Sequence, residues 1–386
     1  MGCDLASSHS LRFLGMSILL LIHILGLACS KSSTQSNTSS TSTTSSSSYT
    51  SDQLLNAFRS VSLRTTLALP KTEDVDALLA ATDAKTAYDN FVDSYVGGEG
   101  LRATLTDYFR VIFGMGGDPD DPSQDDPSRL AVYIVMNDLS YTELVTANYK
   151  IDTNGLQVVG QDSGAPLFAV AGFLTLKSWL QAYAGNNFLF NYVRETARVA
   201  SCFHYPDPDT SFFSWDESNI ATKYLATADI NCHECHKTMN VRRSVWYKFD
   251  QNGSYRDTPS SGNMYGHEPP PGTGGSEVSE PLQGAGFKYT DVITTPATLG
   301  QQIAASDRFG RCAARRFLAF SLGYDTGSAG QNGRLPFDFD SSSREGDKQL
   351  LDTWTVKLQS DHSMKIRSFL KAFFKSDDFI SRVNFL

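Results

Sequence analysis

From residue 51 onward, apolar side chains recur at helical intervals through most of the chain. Leu54, Phe58, Val61 and Leu67 open a helix near Asp52, on one face of a 3.6-residue repeat. A second helix is expected from about Glu73 to Tyr95, stopped by Gly97-Gly98, and a third from Leu101 to Phe113, stopped by Gly114 and Gly116-Gly117. The same spacing predicts helices at Pro127–Asp138, Tyr141–Asn148, Phe173–Ala184, Leu189–Ser201, Ala297–Ser306, Phe309–Leu322, Gly346–Gln359 and Met364–Phe374. Gly155–Phe168 can hold a strand or two. The Pro/Asp run from Asp118 to Pro127 reads as a surface loop; its carboxylates could hold calcium, but their spacing matches no EF-hand. The expected fold class is mainly α.

The periodicity fails between Tyr205 and Tyr289, where Gly, Pro, Ser and Asp dominate. A long irregular stretch inside a helical body is expected where a prosthetic group supplies the apolar centre that loops wrap. The pattern divides the folded part into an N-terminal helical region, 51–200, a middle region, 201–290, and a C-terminal helical region, 291–386. No internal repeat is present.

The pattern ahead of residue 51 is of another kind. Arg12 precedes an apolar run from Phe13 to Ala28, too short to span a bilayer comfortably and suited to the core of a secretory signal. Gly26-Leu27-Ala28-Cys29 closes it and resembles a bacterial lipoprotein signal, in which the cysteine is acylated and becomes the new N-terminus. Residues 1–28 are therefore read as the signal and Cys29 as the lipid site, with an ordinary cleaved signal as the alternative. Gly26 stands where such signals usually have Leu. Ser30 to Ser48 is almost wholly polar, so residues 29–50 read as anchor and flexible tether. The expected location is the bacterial cell envelope, tethered to a membrane, the outer one by preference, facing either the periplasm or the surface.

Composition narrows the class. Apolar residues make up 40% of the 386 and charged residues 19%, enough for a sizeable core. The net charge of −9 would repel phosphates, which sets nucleic-acid binding aside.

The strongest chemical signal is Cys232-His233-Glu234-Cys235-His236. Two thiols three residues apart can reach the two vinyl groups along one porphyrin edge. The histidine directly after the second cysteine is then held beneath the iron. That is the c-type haem attachment pattern: Cys232 and Cys235 as thioethers, His236 as proximal iron ligand, one covalent haem c. A zinc half-site is the first competitor, but no second paired motif completes it; Cys202, His204 or Cys312 would have to serve. A small disulfide or redox dithiol is the second. Export favours haem, because c-type haem is attached outside the cytoplasmic membrane.

Elimination bears on the other face of the iron. Met239 follows His236 too closely to leave the proximal side. The leading distal candidates are Met264 and His267, in the proline-braced run Asn263–Pro271, with His362 and Met364 behind them. Cys202 and Cys312 are left over, and leftover cysteines of an exported protein are expected to pair.

Past the motif, Met239-Asn240 and Trp246–Arg256 (Trp-Tyr-Lys-Phe-Asp-Gln-Asn-Gly-Ser-Tyr-Arg) resemble a haem-flanking stretch of bacterial cytochrome c-like proteins. These are built from conserved domains of unknown function (the DUF1592, DUF1588 and DUF1585 type). Phe309–Gly323, Phe369–Arg382 and Tyr141–Tyr149 resemble further segments of that family, so the likeness covers about residues 125–386. It departs at Asn240-Val241 and at Tyr324. The resemblance implies a haem protein without naming a substrate. It also places Phe249, Asp250 and Arg256 in a turn near the haem, with Arg256 a candidate partner for a propionate.

One haem, a tether and no visible acid/base constellation point to an electron carrier serving redox partner proteins. A haem enzyme of peroxidase or oxidase type with an open distal site, in which His204 or His267 would act, is the alternative. A surface lipoprotein with a structural haem is another.

Overall fold

A computed structural model describes residues 49–184, 190–204, 244–246, 248–250, 252–256, 295–324 and 337–385. They fall in one compact unit, and the architecture is mainly α.

The first helix, α1 (Ser51–Thr66), starts where Thr50 and Gln53 cap each other, each side chain accepting the other's backbone N–H. It buries Leu54, Leu55, Phe58 and Val61. Leu67, read as part of that apolar stripe, instead leaves the helix in a left-handed conformation, 69% exposed. The single helix expected over Glu73–Tyr95 is two: α2 (Thr72–Ala80) and α3 (Ala84–Gly97). Asp83 breaks it by accepting from Thr86 N at 3.0 Å and Thr86 Oγ1 at 2.7 Å, a local cap that outcompetes continuation. Helix α4 (Glu99–Phe113) ends at Gly114, φ +68°.

The Pro/Asp loop is shorter than expected. A 3₁₀ turn at Pro122–Asp125 runs directly into α5 (Asp126–Met136). Arg110 forks onto Asp125 at 2.8 Å through both Nε and Nη2, and Asp126 pairs with Arg129. Among the described residues no group of three or more His, Cys, Asp or Glu side chains could hold a metal ion.

Next come a single turn, α6 (Glu143–Thr146), and an antiparallel hairpin. Its strands are β1 (Tyr149–Ile151) and β2 (Gln157–Val159), with Tyr149 opposite Val159. The hairpin starts ahead of the Gly155–Phe168 stretch, which holds only its second strand. Two 3₁₀ turns, Leu167–Ala169 and Gly172–Thr175, lead to α7 (Lys177–Ala184) and α8 (Phe190–Ser201). Gly172 sits at φ +47°, and a Cβ there would meet Leu144 O at 2.1 Å, so this crossing admits only glycine.

The C-terminal part holds α9 (Pro296–Ala304), α10 (Asp307–Leu322), α11 (Asp347–Ser360), α12 (Ile366–Lys375) and α13 (Asp377–Phe385). Helix α13 was not among the expected helices; Ser376 accepts from Phe379 N and starts it. Residues 51–200 and 291–386 build one common core. Helix α1 packs on α13, α3 on α12, and α8 on α10. Tyr88 OH donates to Phe374 O at 2.6 Å, Tyr141 N to Met364 O at 2.8 Å, and Asn384 Nδ2 to Gln53 O at 3.0 Å. No helix among the described residues is long and apolar enough to cross a membrane.

Candidate haem-attachment region

Cys232, Cys235 and His236 lie outside the described residues, as do Met264, His267 and Cys29. The structure describes the chain on either side of the motif, and both sides are held by the α7–α8 framework.

On the N-terminal side α8 ends at Ser201 and the chain is pinned at once. Cys202, φ +51°, is disulfide-bonded to Cys312 of α10, with Cα atoms 5.3 Å apart. Four residues along α10, Arg316 reaches back: Nη1 donates to Val199 O at 2.6 Å and Nη2 to Arg198 O at 2.8 Å. Those carbonyls belong to the last turn of α8, which has no intrahelical donors for them, so a buried cation closes the negative end of the helix. Arg198 is itself buried. It gives Nη2 to Ile112 O at 2.8 Å and pairs with Glu195 at 2.6 Å. Burial lowers the pKa of Arg316, partly opposed by Tyr141 and Tyr108 beside it, with Arg198 adding to the depression.

On the C-terminal side the anchor is aromatic. The Trp246 indole donates to Leu174 O at 3.0 Å, and the Tyr192 hydroxyl of α8 donates to the same carbonyl. Their rings meet edge to face at 4.4 Å, with Trp179 of α7 behind Tyr192 at 6.2 Å. A turn follows in which Phe249 bridges Tyr255. Asp250 accepts from the backbone N–H groups of Asn252 and Ser254, each at 2.9 Å. Arg256 forks onto the other oxygen at 3.0 and 2.7 Å. Burial alone would raise the Asp250 carboxyl, but the Ser254 N–H, the Arg256 guanidinium and the Asn252 N–H outweigh it and hold it below the usual range. The turn lies against α7: a Cβ on Gly253, φ +70°, would meet Lys177 O at 2.8 Å. Tyr255 N donates to Ser163 O at 2.6 Å, tying it also to the loop after β2.

The turn expected from Phe249, Asp250 and Arg256 is therefore present, and the guanidinium offered for a propionate is engaged by Asp250. Of the second-rank distal candidates, Met364 is buried at the α11–α12 turn, and His362 packs edge-on to Phe369 with ring centroids 6.1 Å apart. Burial lowers the pKa of His362 despite Asp361 and Asp138 nearby. His204, two residues past the disulfide, is half-buried and its Nδ1 is enclosed without a hydrogen-bond partner.

Sequence reasoning missed the Trp246–Leu174–Tyr192 junction and the role of Arg316. A lone buried cation in an otherwise apolar helix face is a signal that could have marked Arg316. Nothing in the sequence points to the Leu174 carbonyl. Compared with models of known families, with curated proteins and with solved structures, the chain matches none.

Proposed function

We propose that this protein is an exported, lipid-anchored monohaem c-type cytochrome that passes electrons at the cell envelope. Cys232-His233-Glu234-Cys235-His236 carries the reading, with Cys232 and Cys235 as thioethers and His236 as proximal ligand of one haem c. The export signal and Cys29 support it, because they would bring the motif to the compartment where haem c is attached. Firm anchoring on both sides of the motif, at Cys202 and at Trp246, suits a chain that must present two thiols and an imidazole in fixed register. A haem held there would supply a one-electron iron couple. The long Gly/Pro-rich segment would wrap it, and a flexible tether would bring it to redox partners at the membrane. The distal ligand is proposed from Met264 and His267.

Protein made with cytochrome c maturation factors is expected to stain for haem on a denaturing gel, and Cys235→Ala to lose the stain. An unstained parent would overturn the reading. Palmitate labelling that survives Cys29→Ala would overturn the anchor separately.

The enclosed, unpartnered Nδ1 of His204 favours one second reading, a haem enzyme with acid/base chemistry on the open side. Spectra separate the two. A six-coordinate low-spin haem inert to peroxide supports the carrier, whereas a five-coordinate haem that reacts with peroxide and slows in His204→Ala supports the enzyme.

A further inference from the structure

Helix α1 ends in a short apolar tip that stands out from the fold. Leu63, in its last turn, is 39% exposed, and Leu67 and Leu69, just past its end, are 69% and 67% exposed. The tip is held in shape: the Ser62 hydroxyl donates to Ala68 O at 2.7 Å, and Thr104 Oγ1 of α4 donates to Thr65 O at 3.2 Å. Leu67 occupies the left-handed C-cap, φ +55°, the place that Gly114 and Gly323 fill on α4 and α10. A leucine there strains the backbone and gains little packing in return.

Basic residues flank the tip. Between Asp52 and Glu73 the chain carries Arg59, Arg64 and Lys71 and no carboxylate, against a net charge of −9 overall. Arg59 and Lys71 are exposed, and Arg59 lies one turn before Leu63 on the same face of α1. Of the carboxylates on neighbouring helices, Asp74 of α2 accepts from Tyr95 OH at 2.8 Å and Glu99 of α4 pairs with Arg102. Glu73 and Asp76 follow in α2. The chain ahead of the body bears on what lies under the tip. A polar run of the length of Ser30–Ser48 typically spans about 25 Å. The sixteen residues of α1 rise about 24 Å, and the run joins the body at the end of α1 opposite the tip. A body seated tip-down on the membrane that holds Cys29 therefore leaves the tether at its relaxed length.

We propose that Leu63, Leu67 and Leu69 seat the folded body directly on a phospholipid bilayer, with Arg59 and Lys71 at its phosphates. This contact presupposes the acylated Cys29 proposed for the anchor and is independent of the haem. Leucines sink about 5–10 Å into the boundary between headgroups and acyl chains. Arg59, about 6 Å up the helix from Leu63, then lies at the level of the headgroups, where its charge stays solvated. The seat decides which end of the body faces the lipid, a choice that an acyl chain on a flexible tether leaves open.

The test uses the full exported protein on vesicles of phosphatidylglycerol and phosphatidylcholine, with bromine on the acyl chains as a short-range quencher of tryptophan. In Leu69→Trp the added emission is expected to fall about twofold relative to unbrominated vesicles, as an indole within the boundary should. Val159→Trp, at an equally exposed apolar position on β2, should keep its emission. Adding Arg59→Glu and Lys71→Glu to Leu69→Trp should restore the emission. Equal emission of Leu69→Trp on the two kinds of vesicle, or equal quenching at both positions, would overturn the seat. Palmitate labelling of the same sample separates the failures: labelled protein with unquenched emission refutes the seat alone, and unlabelled, unquenched protein refutes the anchor with it.

Discussion

Arg316 holds the carbonyl of Val199 at 2.6 Å, one helical turn along α10 from the cysteine that holds the residue just past the end of α8. One helix thus grips the end of another twice, once covalently and once through a buried cation. The two grips should respond differently to perturbation.

Opening the covalent grip acts mainly on the unfolded chain. The disulfide closes a separation of 110 residues, for which the chain-entropy model gives about 4 to 5 kcal/mol. The double variant Cys202→Ser, Cys312→Ser is expected to lose a few kcal/mol in urea unfolding while keeping its far-UV circular dichroism. A disordered variant would show that Arg316 alone does not secure the end of α8.

Removing the cation acts on the folded state. Arg316→Met leaves the carbonyls of Arg198 and Val199 buried without donors. The expected cost is about 2 to 4 kcal/mol, read from the shift in denaturation midpoint at unchanged slope. A neutral result would mean that relief of the buried charge offsets both lost bonds.

Trp246 is held by packing and by one hydrogen bond, and two variants separate them. Trp246→Phe deletes the donor to Leu174 O, where Tyr192 still donates, and should cost about 1 kcal/mol. Trp246→Ala should cost about 3 to 5 kcal/mol, because the indole is 1% exposed against Tyr192. Comparable losses in chemical denaturation would refute the division.

His362 and Asp250 contribute to the response to acid over different pH ranges. The folded His362 imidazole ionises below its unfolded value because burial disfavours its charged form. The unfolded chain therefore takes that proton first, and stability slips as pH falls below about 6.5. The folded Asp250 carboxyl also lies below its unfolded value, so its stabilisation is complete above roughly pH 4 to 5 and drains as pH falls further. Asp250→Asn should flatten only the lower limb of a plot of unfolding midpoint against pH. An unchanged lower limb would place the acid sensitivity elsewhere.

Gly300 makes the tightest approach to another backbone among the described glycines of the C-terminal part. A Cβ there would meet Val145 O at 2.0 Å, a backbone atom that cannot swing aside. Gly300→Ala is expected to destabilise by about 3 kcal/mol or more, measured by thermal unfolding, through forced separation of α9 from α6.

The helix at Leu101–Phe113 was legible because an apolar stripe met a recognisable stop at Gly114. Legibility failed where a single polar side chain competed with the helix: Asp83 divides α3 from α2, and Ser376 starts α13. Tyr141–Asn148 kept only one helical turn, because the chain bends there into the hairpin at Tyr149. The cysteine pair was readable by elimination, since Cys202 and Cys312 remained once the motif and the leader had claimed the others. The candidate site rests on its five-residue motif, which lies outside the described residues. Its supports were not legible: Trp246 and Tyr192 meet on the Leu174 carbonyl, and a backbone oxygen leaves no trace in the sequence of which donors it will receive.

Tyr49 and Gln53, at the start of the folded body, bond to Asp377 and Asn384 at its far end. In a chain made from the N-terminus, α1 therefore waits, one apolar flank bare, until α13 has been synthesised. Any stall short of residue 377 leaves that flank open to holding chaperones and proteases. The nine residues of α13 thus decide when the sixteen of α1 become protected.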